Sequence, residues 1–323
     1  MANLSIQNIL HSTKKFSNIT TETETKLNFA VDATVLNIIL TIIFNMVVCP
    51  FTVLLNMMVI IAVKRRPRLQ SYANILLACL AGTDALTGLT TQPLYSLWKI
   101  LQLLEMKTHE TIGFLFTIVL RALSLCSSLH LVLVTSERLI AIRFTERYAS
   151  IVTRRNIRAA VIASWVVSIS YAALGEPRNT SKASLLNLLA ALIIVSCVIF
   201  MAFAYVILFR ETRRHVKMIK AHQLPQEEVH RFNKEKKALK TTVLVVSAVF
   251  VCFLPMAAVT VTVFVLKKMN ISHQGFIADC LPCVWVLTFI MFNSVVNPLI
   301  YCWRQKEMRR FVFRLTSPAV GPE

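Results

Sequence analysis

Two charged sites lie within or at the end of long apolar stretches of this 323-residue chain. One is Asp84, in the middle of LLACLAGTDALTGL, and the other is the adjacent pair Glu137 and Arg138. A charged side chain at the centre of a membrane-spanning helix costs about 2.5–3.5 kcal/mol on insertion scales, so such a residue marks a functional position. A carboxylate there can hold a cation or water, and an acid–base pair can join two helix ends.

Asp84 has polar partners available in other apolar stretches. They are Asn56, Ser127, Asn293, Ser294 and Asn297. Such a group of side chains can hold a hydrated sodium ion or a water network that rearranges when helices shift. The alternative is a set of hydrogen bonds that only joins helices. We favour the first interpretation because an unpaired carboxylate is a poor residue for structural bonding alone.

Arg138 has a second possible partner in Glu235, which precedes a later apolar stretch. An ion pair between Arg138 and Glu235 would hold two inner helix ends together, and breaking it would give a switch with two discrete states. The alternative is that Glu137 and Arg138 extend to the membrane–water interface without any switching role.

Long apolar runs must position these residues, and the chain is 56% hydrophobic with only 16% charged residues. A hydrocarbon core needs about 20 apolar residues to be crossed as a helix. Seven runs qualify, and they are 35–63, 73–98, 110–143, 158–174, 184–209, 239–266 and 277–303. The sequence therefore predicts an all-α membrane protein: a tail at 1–34, a seven-helix bundle at 35–303, and a short amphipathic helix with a tail at 304–323. The polar start MANLSIQNIL predicts no cleaved signal peptide.

The basic residues predict an extracellular amino terminus in the plasma membrane. Lys and Arg concentrate in cytoplasmic loops, and the segments 64–68, 138–158, 210–240 and 304–314 hold four, six, ten and five of the 35. The segments on the other side hold nine. This distribution accounts for the net charge of +19 through orientation and contact with anionic lipids. No nucleic-acid-binding module is present, so we expect no nucleic-acid partner.

Glycosylation sequons agree with this orientation. Asn-x-Ser/Thr is modified only on the lumenal side, and the four sequons at Asn3, Asn18, Asn179 and Asn270 all lie in segments predicted to be external.

One motif in each predicted span resembles the rhodopsin-like (class A) G-protein-coupled receptors, and the resemblance extends from about residue 35 to 315. In order these are Asn56 in LLNMMVI, Asp84 in LAGTD, Ser-Glu-Arg-Leu at 136–139, Trp165, Tyr205, Cys-Phe-Leu-Pro at 252–255, and Asn297-Pro298-Leu-Ile-Tyr301. Seven motifs in the correct order and orientation are highly specific to that family.

The resemblance implies activation of a heterotrimeric G protein. Pro255 and Pro298 remove backbone hydrogen bonds and can act as hinges. Outward movement of the sixth helix would open a groove for the helix of the G protein. Arg138 would contact that helix, while Tyr205 and Tyr301 would hold the open form. The segment KEMRRFVFRL would lie at the membrane surface. The resemblance also implies arrestin as a further partner, and the short tail does not decide whether it binds.

Several residues depart from the family pattern. Gly113 stands where the third helix usually has a disulfide-bonded Cys, and Cys197 replaces the usual proline of the fifth helix. These departures resemble the melanocortin, lysolipid, cannabinoid and adenosine receptor group. Cys280 and Cys283, in DCLPC, would form a local disulfide as in some of those receptors. Glu146 replaces an apolar residue that inserts into the G protein, which leaves the strength of coupling open.

The ligand pocket is predicted from Leu120, Arg121 and Phe253. Leu120 replaces the aspartate that binds amines, and Met291 replaces the lysine that carries retinal, so neither ligand is expected. Arg121 can bind an anionic head group bidentately, which favours an anionic lipid or another small amphiphile. The alternative is that Arg121 faces a neighbouring helix or extends outward to the membrane surface.

The sequence bears on three other functions. A transporter would show paired half-repeats, which this chain lacks. An enzyme would need a reactive constellation, and neither HExxH nor GxSxG occurs. We therefore expect no catalytic or metal-binding residues and no cofactor beyond the sodium ion. A receptor-like protein that is constitutively active or does not couple to a G protein stays an alternative.

Overall fold

The computed structural model describes residues 2–174, 181–222, 251–256 and 281–304, with shorter pieces between 244 and 269 and residues 309–310. All regular secondary structure in this part of the chain is helical. The helices are α1 (Ala2–Arg65), α2 (Tyr72–Leu86), α3 (Gln92–Leu103), α4 (His109–Arg143), α5 (Tyr148–Ile151), α6 (Arg154–Leu174), α7 (Ser181–His222) and α8 (Leu281–Arg304). The short turns Pro67–Leu69 and Thr145–Arg147 are 3₁₀ helices.

Four helical segments in the described part are long and apolar enough to cross a membrane. They are Ala33–Arg65, Tyr72–Leu103, His109–Arg143 and Arg154–Leu174. They match the first four predicted spans. The fifth predicted span lies in α7, and the seventh lies in α8, which contains the shorter apolar helix Trp285–Ile300. The sixth predicted span is represented by the helical residues 251–256 and the shorter pieces around them.

The first helix differs from the sequence expectation at its start. It begins at Ala2, whereas the predicted span begins near residue 35. Residues 1–34 contain neither glycine nor proline, so no helix-breaking residue separates them from the apolar run. The part long and apolar enough to cross the membrane begins at Ala33.

The second span contains a π turn that the sequence did not predict. The residues Thr87–Thr91 form this turn between α2 and α3. Pro93 follows at the first turn of α3. Proline lacks an N–H group and its ring collides with the carbonyl four residues earlier, so the wider π turn places Pro93 without breaking the helix.

Helix α4 has a central position, since it packs against α2, α3, α6 and α7, while α1 packs against α2, α3 and α8. The main apolar cluster draws residues from most of these helices and from the helical residues 251–256, including Val59, Leu80, Leu131, Met201, Phe253 and Ile290. In lipid, helices associate through close packing and hydrogen bonds. Accordingly α1 also buries four polar side chains, Thr41, Asn45, Thr52 and Asn56.

Candidate functional site

Asp84 is fully buried and joins three helices. Its Oδ1 accepts hydrogen bonds from Ser127 Oγ on α4 at 3.2 Å and from Ser294 Oγ on α8 at 2.9 Å. Its Oδ2 accepts a hydrogen bond from Asn297 Nδ2 on α8 at 2.8 Å. Asp84 is therefore the acceptor on which α2, α4 and α8 converge.

Asn56 joins the same region through Ser294 rather than through Asp84. Asn56 Nδ2 donates to the Ser294 carbonyl at 2.9 Å, which links α1 to the cluster. The amide oxygens of Asn56, Asn293 and Asn297 are buried and lack a hydrogen-bond partner in the described part of the chain. Buried polar atoms of this kind require a water molecule or an ion. Because all three are amide oxygens, a hydrogen-bond donor or a cation would satisfy them.

The carboxyl-terminal end of α4, which the sequence predicts to face the cytoplasm and which is called its inner end below, carries a contact that the sequence did not predict. Glu137 is 5% exposed, and its Oε1 accepts a hydrogen bond of 2.7 Å from the hydroxyl of Tyr148 on α5. Its Oε2 lies 3.5 Å from Arg138 Nε in an ionic contact. Burial and then the Glu137 hydrogen bond raise the pKa of Tyr148, so this residue stays a donor at neutral pH.

A second ionic contact joins the inner ends of α4 and α7. The guanidinium of Arg143 pairs with Glu211, whose other carboxylate oxygen lies 4.0 Å from Arg214. Glu211 is mostly buried, with 17% of its side chain exposed. The Glu211 carboxylate therefore lies between Arg143 and Arg214 and links α7 to the end of α4.

An aromatic cluster lies beside Leu120, one of the three residues of the predicted ligand pocket, in the half of the bundle predicted to face outward. Trp98 on α3 stacks on Phe116 of α4 with ring centroids 5.4 Å apart, and Tyr95 packs against both rings. Met291 on α8 is buried in the same cluster, and Leu120 packs against its edge. A Cβ atom on Gly113 would lie 2.6 Å from Trp98 Nε1, so a residue without a side chain is required there.

Lys99 is the buried basic residue next to this cluster. It is 8% exposed, its Nζ donates to Gln102 Oε1 at 2.9 Å, and Nζ lies 4.0 Å from the centroid of the Trp98 ring. Among the described residues, no carboxylate lies within ion-pair distance of this ammonium group. Such a buried charge is costly without a counter-charge, so Lys99 is suited to bind an anion.

Arg121 is partly buried on α4, one residue beyond Leu120, and has interactions of its own. The predicted anion site at Arg121 stays a prediction. The two other predicted pocket residues differ from each other in depth. Leu120 packs against both the main apolar cluster and the aromatic cluster, whereas Phe253, 5% exposed, belongs to the main apolar cluster.

The remaining predicted residues vary in how far they are described. Tyr205 on α7 is half-buried beside Phe209, Pro255 is half-buried, and Pro298 is buried inside α8. Glu235, Cys280, Asn179 and Asn270 lie outside the described residues, as do the side chains of Asn3, Asn18, Cys283 and Tyr301. The predictions that the Arg138–Glu235 pair and the Cys280–Cys283 disulfide form therefore stay predictions.

Sequence reasoning missed Tyr148, Glu211 and the role of Lys99. Tyr148 and Glu211 belong to no family motif named above, and their partners are 11 and 68 residues away in the chain. Lys99 was not among the ligand-pocket residues predicted from the sequence. Its position in the apolar segment Tyr72–Leu103 was the available signal.

A comparison with known protein families agrees with these features. The family model described as 7 transmembrane receptor (rhodopsin family) matches residues 55–177 and 173–301. The matched region contains Asn56, Asp84, the Glu137–Arg138 pair and Asn297. It covers most of the chain, so this multi-pass membrane protein belongs to the rhodopsin family of seven-transmembrane receptors.

Proposed function

We propose that the protein binds an extracellular ligand at the plasma membrane and activates a heterotrimeric G protein. The observation that carries the proposal is the contact of Glu137 with both Arg138 and Tyr148. It keeps the Arg138 guanidinium beside a carboxylate at the inner end of α4. Activation would release Arg138 toward the G protein as the sixth helix moves outward around Pro255.

The Asp84 cluster would act as the second element of this mechanism. A sodium ion takes oxygen ligands, and the Asp84 carboxylate, the Ser127 hydroxyl and the amide oxygens of Asn293 and Asn297 offer them. The unpartnered amide oxygens support this assignment. Bound sodium would favour the arrangement in which α2, α4 and α8 converge on Asp84. Helix movement that separates these groups would weaken its binding, so sodium and agonist would oppose each other.

We also propose that the ligand is an anionic amphiphile recognised by Lys99. The buried ammonium group would supply the positive charge, and the half-buried Trp98 ring beside it would supply an apolar contact. An anion would provide the counter-charge that Lys99 lacks within the described residues. Arrestin would bind the active receptor as a further partner.

The first experiment measures G-protein activation in cells with dissociation sensors for each subtype family. Arg138→Ala should abolish activation, whereas Arg155→Ala removes an equal charge from the exposed start of α6 and should have little effect. Surface expression is measured for all variants. Silence of the wild-type receptor across all sensors would favour the alternative of a receptor that does not couple.

The second experiment tests the ligand class with lysophospholipids, fatty acids and neutral analogues of the same chain length. We expect activation by anionic compounds only, and a loss of potency of about tenfold or more in Lys99→Gln. Lys107→Gln, which removes an exposed lysine from the nearby loop, is the matched control. If the anionic compounds are equally potent on Lys99→Gln and wild type but lose potency on Arg121→Gln, the anion site lies at Arg121 and the Lys99 proposal is wrong.

A further inference from the structure

An open cavity lies at the inner end of the bundle, between the end of α4, the turn after it and α7. Its volume is about 570 Å³. The residues around it include three arginines and two glutamates, namely Arg143, Arg147, Arg214, Glu146 and Glu211, together with Phe144. Neither the Asp84 cluster nor the proposed ligand pocket includes the residues of this cavity.

The arginines are held in place yet accessible. Glu211 lies between Arg143 and Arg214 and fixes the two guanidinium groups on one wall. Each guanidinium has five N–H donors, and one carboxylate cannot occupy both sets. The side chains of Arg143 and Arg214 are 52% and 73% exposed, so the remaining donors can reach a ligand. The carboxylate of Glu146, on the turn after α4, would repel an anion. Arg147 is the next residue along this turn and also lines the cavity.

A stripe of exposed apolar residues on α7 leads to the same wall. Its members follow one another at intervals of three or four residues along the helix, and they are Leu192, Val195, Ile199, Phe203 and Val206. All five are exposed in the bundle, with Ile199 and Phe203 more than 60% exposed. The same spacing continues into Arg210 and Arg213, both exposed, one turn from the cavity. Acyl chains therefore have an apolar path that ends at guanidinium groups.

We propose that this cavity binds an inner-leaflet lipid whose head group carries two or more phosphates. The phosphates would contact Arg143, Arg214 and Arg147, and the acyl chains would lie along the α7 stripe. Arginine binds phosphate bidentately, and three arginines around one cavity exceed what a single carboxylate head group can use. Because Glu146 and Glu211 leave the lining with one net positive charge, a singly charged lipid gains little by entering. The bound lipid would bridge α4, its following turn and α7.

The test measures lipid binding to the purified full-length receptor in nanodiscs, independently of signalling. Discs of phosphatidylcholine contain either a trace of fluorescent phosphatidylinositol bisphosphate or the same amount of fluorescent phosphatidylserine. We expect the bisphosphate lipid to bind at least about tenfold more tightly than phosphatidylserine. Competition with soluble inositol trisphosphate and with inorganic phosphate separates a lipid site from a site for free phosphate.

Two double variants locate the site. Arg143→Gln with Arg214→Gln should weaken binding of the bisphosphate lipid about tenfold or more, whereas Arg154→Gln with Arg155→Gln removes equal charge outside the cavity and should change it less than about twofold. An equal loss in both variants would overturn the proposal in favour of general attraction to a basic surface. So would unchanged binding in the first variant, or competition by inorganic phosphate as effective as that by the lipid itself. A wild-type receptor that does not distinguish the two lipids would overturn it without any variant.

Discussion

At the scale of single residues, Asp84 and Gly113 show two ways in which a side chain controls this bundle. Asp84 gathers hydrogen bonds from α4 and α8. Gly113 acts by having no side chain, since any Cβ atom there would enter the Trp98 ring. Both effects depend on neighbours that are distant in the sequence, and each leads to a test on one substitution.

Asp84→Asn should abolish stabilisation by sodium. Wild-type receptor in detergent should gain about 1.4 kcal/mol, seen as a higher melting temperature, when sodium reaches roughly ten times its dissociation constant. The variant keeps the size of the side chain but loses the charge that would hold the ion. Melting is compared in sodium chloride and choline chloride. Glu105→Gln, at an exposed acidic residue, is the control, and a sodium effect retained in Asp84→Asn would contradict the sodium proposal.

Gly113→Ala should destabilise the receptor by about 1–3 kcal/mol because the added methyl group overpacks the aromatic cluster. Gly82 provides the matched control, since a Cβ atom there has nothing within 4 Å. Gly82→Ala should leave stability unchanged or raise it by up to about 1 kcal/mol through helix propensity. Thermal unfolding of the purified variants measures both effects. Equal melting temperatures for the two variants would show that Trp98 yields without cost.

At the scale of helices, the inner end of α4 is held from two sides. The following short helix α5 reaches Glu137 through Tyr148, and α7 reaches Arg143 through Glu211. Two discrete polar contacts can break separately, whereas close-packed apolar surfaces give little freedom for a partial change. Movement of α7 or of the turn after α4 would therefore be transmitted to Arg138.

Tyr148→Phe should raise basal G-protein activation, because Glu137 loses a donor and holds Arg138 less firmly. A hydrogen bond to a charged group contributes about 1.5–3 kcal/mol, so the relative weight of the inactive state should fall by about tenfold or more. Basal second-messenger production reports this shift. Tyr72→Phe, at a nearby tyrosine without a bond to Glu137, serves as the control. Unchanged basal activity at equal surface expression would show that this contact does not restrain the receptor.

The same contact should be insensitive to pH over the physiological range. The pKa of Tyr148 is raised in the folded receptor, chiefly by burial. Its contribution is therefore complete below the ordinary tyrosine pKa of about 10 and is lost only at higher pH. We expect the ratio of basal activities of Tyr148→Phe and wild type to stay constant between about pH 6 and 9 in isolated membranes. A ratio that falls to one within that interval would contradict this assignment.

At the scale of the whole molecule, the distribution of basic residues predicts which end faces outward. An antibody to an epitope at the amino terminus should stain intact cells, while a carboxyl-terminal epitope should require permeabilisation. Removing sequons by Asn3→Gln and Asn18→Gln should each raise electrophoretic mobility, and glycosidase treatment should remove the difference. Asn8→Gln, outside any sequon, is the control. Staining of both termini in intact cells would contradict the predicted topology.

The sequence by itself determined the family, the helical class and the residues around Asp84. These follow from apolar length and from motifs that recur at fixed order, because a helix must satisfy its own backbone in lipid. The π turn at Thr87–Thr91 was not predictable in this way. Proline at position 93 signals a disturbance, yet it does not say whether the helix kinks or widens.

Tertiary structure alone decided which side chains meet. Sequence reasoning placed an anion site at Arg121, whereas only the structure shows that α3 buries a second basic residue, Lys99, beside Trp98. A shift of one residue turns a side chain by about 100° around the helix, so adjacent positions such as Leu120 and Arg121 face different neighbours. The pairing of Arg143 with Glu211 depends on how α7 packs against α4. Residue types and their spacing within either helix do not determine that packing.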